Sequence, residues 1–249
     1  MLRVALSAFA LCFAAVPAPG QDPPAEKPAP ILDDAAAATT FLREQQKALA
    51  DPEPSVRAGA LERFATHRSE SYVKPLIPML KDKNPDVVKA AARALGNQPY
   101  AASSDALIAY ATNPKLFQSE PELAAAAILA LGDAGLGKKG YDKLREIFDD
   151  AEKSVKTAIC RAFLAAKEKK AFSFFVDHCD QPVADPSNPA NPPASYWKAR
   201  FEEWNDYKQY VRAGLKSLTG QSLATSKHYI DWAGTAEGKK SGLVYRRGT

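Results

Sequence analysis

The chain has 249 residues, of which 46% are hydrophobic and 25% are charged, a composition typical of a folded globular protein. Its formal net charge is +4, from 33 basic and 29 acidic residues. Four of the cations (Lys239, Lys240, Arg246 and Arg247) lie in the stretch 239–249, which contains no acidic residue. The rest of the chain therefore has no excess of basic residues that could neutralise phosphates. Nucleic acid is not an expected partner.

Residues 1–20 have the layout of a secretory signal peptide. Arg3 precedes an apolar run at 4–16, which is too short to serve as a permanent membrane anchor. Ala18 and Gly20 are small residues at the −3 and −1 positions for cleavage after residue 20. The sequence therefore predicts export to the periplasm or the medium, followed by release as a protein that does not span a membrane.

Residues 21–34 are rich in proline and contain almost no large apolar side chains. Such a segment cannot bury enough surface to fold alone, so it is predicted to be a disordered linker. From Ala35 the composition changes to alanine-rich helical stretches. The stretch "ATTFLREQQKALAD" (38–51) is predicted to be the second helix of an incomplete repeat that caps the N-terminal end.

Four segments of the chain align with one another without gaps. They are "PSVRAGALERF" from Pro54, "PDVVKAAARAL" from Pro85, "PELAAAAILAL" from Pro121 and "KSVKTAICRAF" from Lys153. Proline is favoured in the first turn of a helix, where no backbone N–H donor is needed. Apolar residues recur in every copy two places after the start (Val56, Val87, Leu123, Val155) and ten places after it (Phe64, Leu95, Leu131, Phe163).

Each copy is followed by a second stretch with helical character. These stretches are "SYVKPLIPMLKD", "SDALIAYATN", "GYDKLREIFDD" and "AFSFFVDHCD". The repeating unit is therefore a helix, a short turn and a second helix, and the copies start 31, 36 and 32 residues apart. A period of this length is typical of a solenoid, whose repeats bury their apolar faces by stacking.

The repeats resemble the HEAT-repeat family, particularly its short bacterial HEAT-like members. The likeness lies in "DPEPSVRAGAL" (51–61), "KDKNPDVVKAAARALG" (81–96) and "EPELAAAAILALGDAG" (120–135), and it extends over 35–180. The fourth copy departs from the pattern because it lacks the proline and the trailing glycine. The resemblance implies an all-α superhelix of four to five helical hairpins that binds proteins, and we expect the second helices to line its concave face.

The stretch "GDAGLGKKG" (132–140) fits part of a phosphate-binding loop. Gly132, Gly137 and Lys138 match G-x-x-x-x-G-K, but Lys139 stands where a serine or threonine would hold Mg²⁺. The preceding residues are alanine-rich and helical, whereas a phosphate-binding loop follows a strand. We therefore predict that the glycines form the turn between the two helices of the third repeat.

The cysteines and histidines are the other candidates for chemistry. Cys160 and Cys179 either form a disulfide or pack as small apolar side chains, since we expect them on facing helices. The run "DHCD" (177–180) has ligand types that zinc accepts, but consecutive donors do not suit a tetrahedral site. Metal-dependent hydroxylases with HEAT-like folds use His-Glu pairs, and no histidine here precedes a glutamate; the histidines are His67, His178 and His228. We predict no metal, no cofactor and no catalytic residue.

Beyond residue 180 the chain changes character. Residues 181–195 contain five prolines and are predicted to be an exposed loop, and 196–235 are predicted to be an aromatic-rich helical cap. The helical spacing of Trp197, Phe201 and Trp204 places them on one face, and we predict that they close the open end of the solenoid. The basic segment 236–249 is predicted to be a flexible tail.

A second interpretation of the C-terminal aromatics is a binding surface. Aromatic side chains are frequent anchors at interfaces, and the candidates are Tyr196, Trp204, Tyr207 and Tyr210. The expected function is that of an exported, non-catalytic scaffold for protein–protein interaction. One alternative is an accessory module that binds a ligand or glycan through these aromatics within an envelope or secreted enzyme complex, and another is a catalytic solenoid of unfamiliar type.

Overall fold

The computed structural model describes residues 30–185 and 187–247. The predicted signal peptide and all but the end of the predicted linker lie outside the described residues. The described chain is built almost entirely of helices, as the sequence predicts. The elements are β1 (Ile31–Leu32), α1 (Ala35–Leu49), α2 (Pro54–Phe64), β2 (His67–Arg68), α3 (Glu70–Leu76) with a 3-10 turn (Ile77–Lys81), α4 (Pro85–Gly96), α5 (Ala101–Ala111), α6 (Pro114–Ser119), α7 (Pro121–Ala134), α8 (Gly140–Phe148), α9 (Lys153–Ala165), α10 (Ala171–Asp177), α11 (Ala194–Thr219), α12 (Ser226–Gly234) and α13 (Ala236–Ser241).

The four predicted first helices begin at the residues that the alignment of the repeats indicated. These are α2, α4, α7 and α9, and the first three have proline in the first turn. At the start of α4 the Asn84 side chain accepts hydrogen bonds from the backbone N–H groups of Asp86 and Val87. Local signals thus set where these helices begin. The first backbone N–H groups of a helix have no acceptor within it, so a helix start favours proline, which has no N–H, and a side chain that accepts from these groups.

Each first helix is followed by a second one, as predicted. The second helices are α3 with its 3-10 turn, α5, α8 and α10. Pro75 lies in α3, which passes into the 3-10 turn at Ile77 because proline interrupts the α-helical hydrogen bonding. The spacing from Pro85 to Pro121 is the longest between copies because an additional short helix, α6, lies between α5 and α7.

The first helices stack in one row, in which α2 packs on α4, α4 on α7, α7 on α9, and α9 on α11. The apolar residue ten places after each start is fully buried in all four copies: Phe64, Leu95, Leu131 and Phe163. Burying such a side chain stabilises the fold by about 1.5–3 kcal/mol. The position two places after the start is buried in the last three copies, but Val56 in the first copy is 40% exposed.

Glycine allows the first helices to approach closely in the middle of the stack. A Cβ on Gly96 would lie 2.8 Å from the backbone oxygen of Ala130, and a Cβ on Gly132 would lie 2.7 Å from the Cα of Ala162. In both contacts the glycine lies eleven places after the start of its own repeat, and the alanine lies nine places after the start of the next repeat. The small residues in the repeat pattern are therefore contact points between backbones.

Ion pairs join neighbouring elements near both ends of the stack. Arg57 donates from Nε and Nη2 to the two carboxylate oxygens of Asp82, each at 2.8 Å. Lys156 stands at the equivalent position of the fourth copy, is buried, and pairs through Nζ with Glu203 of α11 at 2.9 Å. The two middle copies have apolar residues at that position, Val88 and Ala124.

The end of the predicted disordered linker is ordered in the structure, so that prediction was wrong for residues 31–34. Strand β1 pairs in parallel with β2. Asp33 accepts hydrogen bonds from the Tyr72 hydroxyl and from Nδ1 of His67, the latter at 2.9 Å. Asp34 caps α1 by accepting from the backbone N–H of Ala37. The contacts of Asp33 depend on residues more than thirty positions away, which the composition of the linker could not indicate.

The predicted flexible tail is also ordered over most of its length, which corrects the prediction for 236–247. Residues 236–241 form α13, and Leu243 beyond it is only 4% exposed. The hydroxyl of Tyr245 donates to a carboxylate oxygen of Asp177 at 2.8 Å. The basic end of the chain is therefore packed against α10, and its last two residues lie outside the described part.

The turn of the third repeat lies later than predicted. Helix α7 continues through Gly132 to Ala134, so this glycine is a helix contact rather than part of the bend. Gly135 and Gly137 have φ angles of +90° and +61° and make the turn before α8. The match to a phosphate-binding loop thus begins inside a helix and has no strand before it.

Candidate partner-binding surface

The four aromatic residues predicted to bind a partner all lie on α11, but they differ in their exposure to solvent. Trp204 and Tyr207 are 5% and 8% exposed, and the indole Nε1 of Trp204 donates to the backbone oxygen of His178 at 3.1 Å. The ring of Tyr207 meets Phe148 edge-on, with 5.6 Å between ring centres. These two aromatics belong to the core, so the prediction that they contact a partner was wrong.

The remaining two candidates differ in exposure. Tyr210 is half-buried beneath the guanidinium of Arg161, which lies 5.5 Å from its ring centre. Tyr196 is 44% exposed at the beginning of α11. The first turns of this helix, rather than its middle, therefore present aromatic surface to solvent.

Helix α11 is much longer than the helix on which it packs. The helix has 26 residues and the helix α9 on which it packs has 13, so at about 1.5 Å per residue α11 is twice as long. Ion pairs join Lys153 and Lys156, in the first turn of α9, to Asp206 and Glu203 respectively. Both ion pairs with α9 therefore lie at or beyond Glu203 rather than in the first turns of α11.

The first turns of α11 and the loop before them form a surface that we call the aromatic edge, composed of Val183, Tyr196, Trp197 and Phe201. Phe201 is 37% exposed and Val183 is 64% exposed. The rings of Tyr196 and Trp197 meet edge-on at 5.3 Å. The prediction that Trp197, Phe201 and Trp204 close the solenoid was therefore wrong for Phe201, and of the three only Trp204 is buried.

A cleft of about 450 Å³ runs along this edge. Trp197 and Phe201 form one wall, and the loop residues Pro182 and Val183 form the other. The indole nitrogen of Trp197 is buried and makes no hydrogen bond with any described residue. The cleft thus has mostly apolar walls, and the indole N–H of Trp197 is buried away from solvent.

Cys160 and Cys179 are both free thiols, the second of the two arrangements expected from the sequence. Both are buried, at 0% and 3% exposure. Burial raises the pKa of the Cys160 thiol well above its usual range, and burial together with Asp180 raises the pKa of Cys179 to about 12. Protonated, buried thiols are poor nucleophiles and poor metal ligands.

Thiol titration tests this arrangement. We expect a Cys12→Ser variant, denatured without reductant, to show two thiols per chain, since the structure has both remaining cysteines free. The native protein should react much more slowly, because both sulfurs are buried. Absence of thiols in the unreduced, denatured sample would show that the two cysteines are bonded.

The three histidines lie in separate parts of the fold. His67 contacts Asp33, His228 is exposed on α12, and Nδ1 of His178 lies 2.7 Å from the backbone oxygen of Phe174. Burial lowers the pKa of His178 below its usual value. Across residues 30–185 and 187–247, no group of three or more histidine, cysteine or acidic side chains is arranged to hold a metal ion. None of the helices in this part of the chain is both long and apolar enough to cross a bilayer.

Comparison with known proteins supports the interpretation of the repeats. A family model of HEAT repeats matches residues 45–116. The match runs from the end of α1 through two complete helix pairs and into α6. A search of curated proteins found no match to the chain.

Proposed function

Because residues 45–116 are HEAT repeats, which generally mediate protein–protein interaction, we propose that this protein is a non-catalytic scaffold that binds a partner protein through the aromatic edge. The single observation that carries the proposal is the exposure of Tyr196 and Phe201 on the first turns of α11, beside the cleft that these turns form with the preceding loop. An end cap needs apolar residues only where it covers the last repeat. Aromatic residues beyond that point are accounted for by a contact with another molecule.

The chemistry of the edge suits a protein partner. Aromatic side chains are enriched in the buried centres of protein interfaces, where each can bury a large apolar area. Around them, the loop that follows α10 is mostly exposed, so a partner could approach without rearranging the repeats. Arg200 lies 6.0 Å from the ring centre of Tyr196 and would supply a charged group at the rim.

We also propose that the scaffold acts outside the cytoplasm. The support is the sequence of residues 1–20, in which a cation precedes a short apolar run and small residues precede the expected cleavage site. The expected partner is therefore a protein of the cell envelope or of the exported fraction. The fold does not identify this partner, so capture experiments are needed to identify it.

Capture of partners from the envelope fraction by the tagged full chain tests the proposal. We expect the double variant Tyr196→Ala/Phe201→Ala to lose its specific partner while it keeps its fold, because both side chains are exposed. Ile230→Ala is the matched control, since Ile230 is a large apolar residue of α12 that is 36% exposed. Quantitative mass spectrometry of the captured proteins compares the three chains.

Two results would contradict the proposal. One is recovery of the same proteins in the same amounts by the double variant and the wild-type chain. The other is a specific small ligand on the purified protein with no protein partner recovered.

The second of these results would favour the alternative function, an accessory module that binds a ligand or glycan. The observation in its favour is the cleft of about 450 Å³, whose mostly apolar lining includes Trp197 and Phe201. A mostly apolar cleft with a few polar groups is a common form of small-molecule site. Titration with soluble cell-wall oligosaccharides, followed by tryptophan fluorescence, separates the two functions.

A further inference from the structure

His178 lies at the junction between the last repeat and the C-terminal cap. It directly follows α10, and it precedes the loop that forms one wall of the cleft at the aromatic edge. Its backbone oxygen accepts a hydrogen bond at 3.1 Å from the indole Nε1 of Trp204 on α11. This hydrogen bond joins the beginning of the loop wall to the helix that carries the other wall, and we call the contact the histidine joint.

The imidazole ring of His178 lies among aromatic rings from three helices. It packs on Phe174 of α10 with 4.3 Å between ring centres, and it meets Phe148 of α8 edge-on at 4.9 Å. The ring of Tyr207 on α11 lies 6.3 Å away, also edge-on. The ring therefore packs the cap helix against the second helices of the last two repeats.

These surroundings favour the neutral form of the ring. Nδ1 donates to the backbone oxygen of Phe174 at 2.7 Å, so Nε2 is the nitrogen that takes up a proton in acid. Nε2 makes no hydrogen bond with any described residue that would stabilise the added proton. An imidazolium among aromatic rings also loses its hydration, and burial accordingly lowers the pKa of His178.

The charged groups around the ring do not reverse the effect of burial on its pKa. Besides the hydrogen bond to Phe174, Asp149 at the end of α8 and Asp177 on α10 raise the pKa, whereas Arg200 on α11 lowers it. The other titratable side chain that faces the ring is Tyr207, which stays uncharged because burial raises its pKa. The net shift is downward, so the packed ring stays neutral at a pH at which a hydrated histidine is charged.

We propose that the histidine joint is sensitive to protons, so that acid loosens the contact between α10 and α11 and weakens partner binding at the aromatic edge. Opening of the joint hydrates the ring and restores its ordinary proton affinity. Protons therefore bind the open form more tightly and shift the equilibrium toward it. The ion pair of Lys156 with Glu203 joins α9 to α11 separately, so the cap stays attached when the joint opens. The effect on a partner rests on the proposed function, whereas the opening of the joint does not.

The stability of the closed joint should fall as the pH falls. Above about pH 6.5 the ring is neutral in both forms, so it contributes no pH dependence. Below this value the open form takes up a proton that the closed form binds less well. Each further pH unit then favours opening by up to about tenfold, until the closed form is protonated too. Between pH 7.5 and pH 5.5 the total shift has an upper limit of about tenfold.

Nuclear magnetic resonance of the full chain tests the joint without a partner. We expect the Cε1–H signal of His178, identified by its absence from His178→Phe, to titrate below about pH 6.5. The indole N–H of Trp204 should exchange with solvent faster in the wild-type chain than in His178→Phe, with a ratio that rises by up to about tenfold from pH 7.5 to pH 5.5. Comparison at the same pH cancels the intrinsic pH dependence of exchange.

His178→Phe should keep its fold, because it retains an aromatic ring and the backbone N–H of residue 178 still donates to the Phe174 oxygen, at 3.2 Å. Circular dichroism checks this. His178→Gln, which also cannot titrate, is a second variant that should show the same constant exchange. The matched control is His228→Gln, since His228 is exposed on α12, and its exchange ratio should rise as in the wild-type chain.

Capture of proteins from the envelope fraction at pH 7.5 and pH 5.5 tests the effect on the aromatic edge. Recovery of the partner should fall at pH 5.5 for the wild-type chain and for His228→Gln, and it should change less than about twofold for His178→Phe. Equal losses at pH 5.5 in all three chains would overturn the effect on the partner.

Two results would overturn the joint itself. One is titration of the His178 Cε1–H signal at or above about pH 6.5. The other is an exchange ratio for the Trp204 indole that stays constant between pH 7.5 and pH 5.5. Absence of any captured protein at pH 7.5 would contradict the proposed function, whereas the resonance measurements decide on the joint by themselves.

Discussion

Gly132→Ala should destabilise the protein, although alanine is the better helix former. The added Cβ would lie 2.7 Å from the Cα and 3.1 Å from the Cβ of Ala162, so α7 and α9 would have to move apart. Overpacking of this kind in a well-packed interior lowers the free energy of unfolding by about 1–3 kcal/mol. Urea unfolding, followed by far-ultraviolet circular dichroism, measures the change.

Gly59→Ala is the matched control for this substitution. Gly59 also lies inside a first helix, α2, but a Cβ there would have no heavy atom within 4 Å. Replacing a helical glycine by alanine at such a site should raise the free energy of unfolding by about 0.5–1 kcal/mol. The two substitutions are thus predicted to act in opposite directions. Stabilisation by both would show that α7 and α9 are not in close contact at Gly132.

Trp204→Ala should produce the largest loss of stability among the aromatic substitutions on α11. The side chain is 5% exposed, and its indole N–H donates to the last turn of α10 through the backbone oxygen of His178. Truncating a buried tryptophan lowers the free energy of unfolding by about 3–5 kcal/mol. The C-terminal cap should then separate from the fourth repeat at lower urea concentration than in the wild-type chain.

Phe201→Ala distinguishes the cap from the aromatic edge. Phe201 lies one turn before Trp204 and is 37% exposed, so we expect its replacement to lower the free energy of unfolding by less than about 1 kcal/mol. Equal losses of stability in the two variants would mean that the edge is part of the core. That result would remove the observation on which the proposed partner contact depends.

The repeats could be predicted from the sequence because their signals are local. Proline in the first helical turn and an apolar residue ten places later recur in a pattern that needs no knowledge of the neighbouring repeat. The starts of α2, α4, α7 and α9 therefore coincide with the aligned segments. The role of Gly132 could not be predicted in the same way, because a glycine near the end of a helix also suits a turn. The contact with Ala162 that decides between these roles comes from the next repeat.

The candidate binding surface was predicted only in part. Helical spacing places Trp197, Phe201 and Trp204 on one face of α11, and periodicity alone treats the three residues alike. Their burial differs because the indole of Trp204 is enclosed beside His178, whereas Trp197 and Phe201 line an open cleft with the loop before α11.

The amino-acid sequence by itself determined the repeat, the all-α class and the positions of most helices, since periodicity and capping act within a few residues. Only the tertiary structure decided whether the segments at the two ends of the described chain are ordered. Ile31 and Leu32 pair with a strand beyond α2, and the C-terminal segment packs on α10 about seventy residues earlier in the chain. Proline content and positive charge favour disorder in an isolated segment, but a docked segment is held by partners that only the fold brings near.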